Sequence, residues 1–146
     1  MAARRPGTRS DKRTGGKDAR GLPRSGPLPR PTSRAEALAV LKAEAFAAPD
    51  AQNVRLEALE FTSVCPKTGQ PDFAQVLIEY TPARRCLESR ALKYYLWSFR
   101  EEPAFCETLA AEIADDVRWA IAPKSLMVQI RQNVRGGILV TATAVR

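Results

Sequence analysis

The chain has 146 residues, 45% of them hydrophobic, with 23 lysines and arginines against 16 acids and no histidine. One domain is expected at this length. The missing histidine removes the commonest general base and metal ligand, so any catalysis must use Cys, Asp, Glu, Lys or Tyr, and no metal site is expected. No run reaches the roughly 18 consecutive apolar residues that cross a bilayer. Cys65, Cys86 and Cys106, an odd set without paired spacing, predict reduced thiols in a cytoplasmic protein.

The positive charge is concentrated at the start. Residues 1–34 carry ten Lys/Arg against two acids, whereas residues 35–146 carry thirteen against fourteen. The first segment also holds five of the eleven prolines and five of the eight glycines. Apart from Met1, its only hydrophobic residues larger than alanine are Leu22 and Leu28. It cannot bury enough apolar surface to offset its ordering entropy, so residues 1–34 are expected to be a disordered basic tail and residues 35–146 the folded domain. Such a tail is either a tether to a polyanion or a solvated extension. It lacks the apolar stretch of a secretory signal.

A capping-box pattern at Ser33 and Glu36 opens a helix expected to run to Ala48, before Pro49. Residues 54–64 and 73–81 are rich in β-branched and aromatic side chains and predict two strands around a Pro/Gly-bearing loop, 65–71. Residues 88–101 follow a helical period, with Ala91, Leu92, Tyr95, Leu96 and Phe99 on one face and Ser89, Lys93 and Arg100 beside it. A second helix is expected over 104–121, with Phe105, Leu109, Ile113, Val117 and Ala120 inward. Leu126, Val128 and Ile130 then alternate toward the turn Arg135-Gly136-Gly137 and a returning strand, 138–143. The order ββααββ predicts an α+β domain, an antiparallel sheet with two helices on one face. Its open edges call for covering or for a homo-oligomer joined edge to edge.

The loop between the first strands holds the most reactive set. Cys65 stands at a strand end with Lys67 two residues on and Asp72 seven on. The thiolate is the reactive form of cysteine, a nearby cation favours it, and an aspartate can carry protons for whatever it attacks. By spacing alone, the better reading of Cys65 is a small buried hydrophobe, because free cysteines are commonly buried.

The string Phe61-Thr62-Ser63-Val64-Cys65-Pro66-Lys67-Thr68-Gly69-Gln70-Pro71-Asp72-Phe73 resembles the active-site loop of the NADPH-dependent 7-cyano-7-deazaguanine reductases. The stretch 88–100, with Glu88, Ser89, Arg90, Lys93 and Arg100, resembles that family's nicotinamide-cofactor signature, and Arg135-Gly136-Gly137 also matches. The resemblance implies a tunnelling fold (T-fold), shared with GTP cyclohydrolase I, assembled as two stacked pentamers with active sites between subunits. It implies that Cys65 adds to the nitrile of 7-cyano-7-deazaguanine as a thioimide and that Asp72 moves protons. Two NADPH then give the aminomethyl product, a step of tRNA queuosine biosynthesis. Leu87, Glu88, Ser89, Cys106 and Glu107 are implied to bind substrate, and Arg90, Lys93 and Arg135 the cofactor phosphates. Where the family has Phe-His-Glu this chain has Phe105-Cys106-Glu107, which puts a second thiol near the nucleophile; it either fills the histidine's space or forms a reversible Cys65–Cys106 disulfide under oxidation.

Two other readings remain. One is a T-fold amidine-forming transferase that uses the same cysteine and aspartate without redox chemistry; the cofactor signature opposes it. The other is an RNA-binding module led by the basic tail. The near-neutral remainder opposes that one, because its aromatics follow core periodicity and do not interleave with cations.

Overall fold

Ser33 caps the first helix as its sequence predicts. In the computed structural model, which describes residues 27–51 and 53–146, α1 runs Arg34–Glu44. The Ser33 hydroxyl accepts from the Glu36 N–H at 3.1 Å. The reciprocal bond differs from a capping box: the Glu36 carboxylate accepts from the Thr32 N–H at 2.8 Å, from the Thr32 hydroxyl and from the Tyr94 hydroxyl at 3.1 Å. The helix stops short of the expected Ala48. Phe46–Ala47 is instead a short strand, β1, paired with β4, Arg85–Cys86. A local tertiary pairing has overridden the helical propensity of the alanines.

The main sheet has four antiparallel strands: β2 (Val54–Val64), β3 (Pro71–Thr81), β5 (Ser125–Gln132) and β6 (Thr141–Val145), in the order β2-β3-β5-β6. Strand alternation buries Val76, Ile78 and Tyr80 from β3 and Leu126, Val128 and Ile130 from β5 in one core with Leu109, Ile113 and Val117 of α3 (Cys106–Ile121). The α+β class therefore holds. Three helices serve this core, because α1 packs on both α2 (Ser89–Trp97) and α3.

The departures have simple causes. Phe105 is half exposed because it is the N-cap of α3 and not its first inward residue. Strand β6 begins three residues later than expected: Gly136 and Gly137 take positive φ in a two-residue turn closed by paired 3.0 Å bonds between Arg135 and Ile138, and residues 139–140 are irregular before the strand resumes. Part of the expected tail is attached to the domain: Leu28 packs against the core, Pro31 is buried, and Arg30 bonds Glu101 at 2.7 Å. The remainder of that segment, 1–26, lies outside the described residues.

Candidate active site

Two strand ends, a hairpin turn and a helix start are gathered at one end of the sheet. Val64 closes β2, and the segment before α3 holds it on the open edge. The Val64 N–H donates to Glu102 O at 3.1 Å, and the Ala104 N–H donates to Val64 O at 3.2 Å. This fixes the next residue, Cys65, near the first turn of α3. The loop then folds on itself, with Cys65 N donating to Gln70 O and Gly69 N donating to Cys65 O, both at 2.9 Å. Gly69 sits at φ +70°, where a side chain would be strained.

That loop makes Cys65 acidic. The Thr68 hydroxyl, followed by the backbone N–H groups of Lys67 and Thr68, draws the thiol below its ordinary value, with the charge of Asp72 opposing. The expected cause was the Lys67 ammonium. Lys67 acts instead through its backbone, as one donor of a small nest for an anionic sulfur. Thr68 was missed in the sequence, although a hydroxyl residue three positions after a loop cysteine is a readable signal.

Asp72 stands opposite Ser63 in the β2–β3 register and is only 4% exposed. Its Oδ1 accepts from Arg135, and its Oδ2 accepts from the Gln132 amide at 3.4 Å. Arg135 Nη2 also donates to Gln132 Oε1 at 2.8 Å, which closes a three-membered ring. The diglycine turn sets Arg135 at its position. Gln132 extends the inward row of Leu126, Val128 and Ile130, and its polarity there is an anomaly that the alternation made visible.

Cys106 opens α3, and its thiol donates to the Ile130 carbonyl at 3.5 Å. Burial pushes this thiol up, opposite in direction to Cys65. All three cysteines are free. Cys106 is buried and its sulfur is engaged by the sheet. Glu107, the next residue on the helix, is exposed in the first turn.

The other expected residues lie at the opposite end of the sheet. The Leu87 N–H donates to the Tyr80 hydroxyl at 3.0 Å, and Tyr80 is eight residues along β3 from Asp72, roughly 27 Å at strand rise. Glu88 is the N-cap of α2, accepting from Arg90 N at 2.8 Å and Ala91 N at 2.7 Å. Ser89 and Lys93 are exposed, and Arg90 approaches the buried Glu44 at 4.0 Å. Within one chain the structure thus gathers Cys65, Asp72, Cys106, Glu107 and Arg135 and holds Leu87, Glu88, Ser89 and Arg90 apart from them. A cavity of about 310 Å³ borders Pro66 and is lined by Arg34, Phe99, Phe105, Thr108 and Glu112. Neither Cys65 nor Asp72 lines it, so it is not where that pair would act.

A family profile described as "QueF-like protein" matches residues 71–146, from Asp72's strand through the diglycine turn to the end of the chain. The chain belongs to the QueF-like family. It is 46% identical over 92 residues to the NADPH-dependent 7-cyano-7-deazaguanine reductase of Nitrosospira multiformis (strain ATCC 25196 / NCIMB 11849 / C 71), covering 63% of this chain and 66% of that protein. It is 50% identical over 91 residues to the protein of the same name from Anaeromyxobacter sp. (strain Fw109-5), covering 62% and 75%. Among solved structures, an archaeosine synthase QueF-Like in the apo form superposes with a TM-score of 0.63 at 27% identity, over 66% of this chain and 95% of that one. The chain is thus similar in sequence to proteins named as reductases and in fold to one named as a synthase.

Proposed function

We propose that this chain reduces the nitrile of 7-cyano-7-deazaguanine to a primary amine, with Cys65 as nucleophile. The acidified Cys65 thiol beside the shielded Asp72 carries the reading, together with identities of 44–50% to proteins named for this activity. A nitrile accepts hydride poorly until a soft nucleophile adds to its carbon. Cys65 Sγ forms that bond as a thioimide while the Asp72 carboxylate takes the thiol proton and passes it to the nitrile nitrogen, and Sγ leaves again when the carbon has been reduced once. Glu107 offers a carboxylate suited to the adjacent N–H donors of a guanine-like edge. NADPH, when bound, supplies hydride, two equivalents per nitrile. The residues present suit its phosphates: Arg90 and Lys93 are three apart on α2, which places them on one helix surface, and Arg135 keeps about half its side chain exposed while it holds Asp72.

The separation of Leu87, Glu88 and Ser89 from Cys65 supports a site completed by another copy. In a ring of copies, the end of one sheet bearing Cys65 meets the α2 start of a neighbour. The outer edges of β2 and β6 and the exposed Leu59 and Val145 beside them support edge-to-edge joining, here as stacked pentamers. Among the described residues no helix is long and apolar enough to cross a membrane.

A second reading rests on the archaeosine synthase likeness: the same cysteine could process the nitrile without redox chemistry. The lower identity to that protein, 27%, and the stretch 88–100 favour reduction. Incubation with the nitrile alone, followed by intact-mass measurement, should add one substrate mass to Cys65. An unmodified protein would overturn the covalent mechanism, and an adduct whose nitrile is consumed without any NADPH oxidation would favour the synthase reading.

A further inference from the structure

We infer that Gln132 is a positioning residue for the reaction, acting through the proton-carrying Asp72; this rests on the nitrile-reductase reading of the same site. Gln132 is 4% exposed at the end of β5, where the alternating pattern would place an apolar side chain. An amide between an anion and a cation has one favourable orientation. Here Nε2 faces Asp72 Oδ2 at 3.4 Å, and Oε1 accepts from Arg135 Nη2 at 2.8 Å. Arg135 closes the ring on Asp72 Oδ1. Each of the three side chains is thereby held by the other two, and Asp72 has a defined donor on each oxygen.

The backbone beneath Gln132 is fixed too. Its N–H donates to Val140 O at 3.0 Å, and the following Asn133 N–H donates to Phe73 O at 2.9 Å. The amide is therefore a rigid stop between β3, which carries Asp72, and the turn that carries Arg135. A carboxylate that takes a proton from the attacking thiol and passes it to a substrate nitrogen must point within hydrogen-bond reach of both, so a small rotation costs rate before it costs binding. The nitrile carbon is attacked by Cys65 and its ring edge is read elsewhere. Loss of Gln132 should thus lower kcat and leave KM for the nitrile nearly unchanged.

Two variants separate this from space filling. Gln132→Met keeps volume and removes both bonds. Gln132→Glu keeps the acceptor for Arg135 and replaces the donor to Asp72 with a carboxylate oxygen. Both should lose about tenfold in kcat, less than the roughly 10²–10⁴ of removing an acid outright, with KM for the nitrile within about twofold, in protein that is still folded by circular dichroism. Wild-type kinetics in the Met variant would overturn the assignment, as would full activity in the Glu variant. A readout independent of turnover is available because the chain has only six aspartates. In protein labelled at the aspartate carboxyl carbon, the Asp72 resonance, identified by its loss in Asp72→Asn, should move in Gln132→Met. An unmoved resonance would overturn the assignment even if the wild type reduces no nitrile, which would instead refute the reductase reading.

Discussion

Arg34 and Arg135 each reach a shielded aspartate, yet the two clusters sit in different surroundings. Arg34 bonds Asp116 at 3.0 Å and Glu112, Tyr95 donates to the same Asp116 oxygen at 2.6 Å, and the guanidinium lies over the Phe99 ring at 5.1 Å. Those partners come from α1, α2 with its following turn, and α3, so this cluster stitches helix to helix. Burial, with Asp116 adding to it, pushes the Tyr95 hydroxyl far up, as suits a group that only donates. Arg135 holds Asp72 at strand ends, beside a thiol whose ionisation is favoured and next to open solvent. The ion-pair chemistry is shared, and location decides whether it stabilises the fold or orients a reacting group. A perturbed or buried charge is thus a site only where a nucleophile and an opening accompany it.

The largest effect tests the strand-end cluster. Cys65→Ala should abolish turnover and the substrate adduct together, because both other cysteines are buried. Persistent adduct by intact mass would move the nucleophile elsewhere. Glu107→Gln comes next: the amide turns a donor toward donors, and substrate affinity measured by calorimetry should fall by about 1–3 kcal/mol for each buried group left unpaired. Unchanged affinity would remove Glu107 from the pocket.

Arg34→Met should show the opposite signature. Removing the partner of the largely shielded Asp116 should lower unfolding free energy by about 2 kcal/mol, while the rate of Cys65 alkylation in the folded protein stays the same. A variant of full stability would show the helix cluster to be dispensable. Thr68→Ala is the mildest. The bonds from Thr68 and the nest favour the thiolate, so their loss raises the thiol pKa and reduces the ionised fraction at neutral pH. Iodoacetamide labelling should slow a few-fold near pH 7 and converge with wild type well above the ordinary thiol range. Equal rates at neutral pH would assign the acidity to other donors.

Much of this was legible in residue order. Composition over 54–64 and 73–81, with the Pro/Gly loop between them, located β2 and β3 to within two residues. The Cys65–Asp72 pairing followed from two strands joined by a short loop. Sequence did not show that β1 would end α1 early, since a two-residue pairing with a segment some forty positions away leaves no local pattern. It also assigned Arg135 to cofactor phosphates alone and missed its bond to Asp72, which depends on a hairpin bringing residues 63 apart in sequence together. The resemblance implies a pocket role for Glu88, whereas its carboxylate first caps α2; Glu is an uncommon N-cap, so propensity gives no warning.

The central claim is reduction of a nitrile at Cys65, and the stoichiometry of cofactor use tests it most directly. Purified protein given 7-cyano-7-deazaguanine and excess NADPH should oxidise two NADPH for each aminomethyl product formed, counted by absorbance and by chromatography of the base. Nitrile that disappears with no NADPH oxidised, or NADPH oxidised at the same rate without nitrile, would contradict the account.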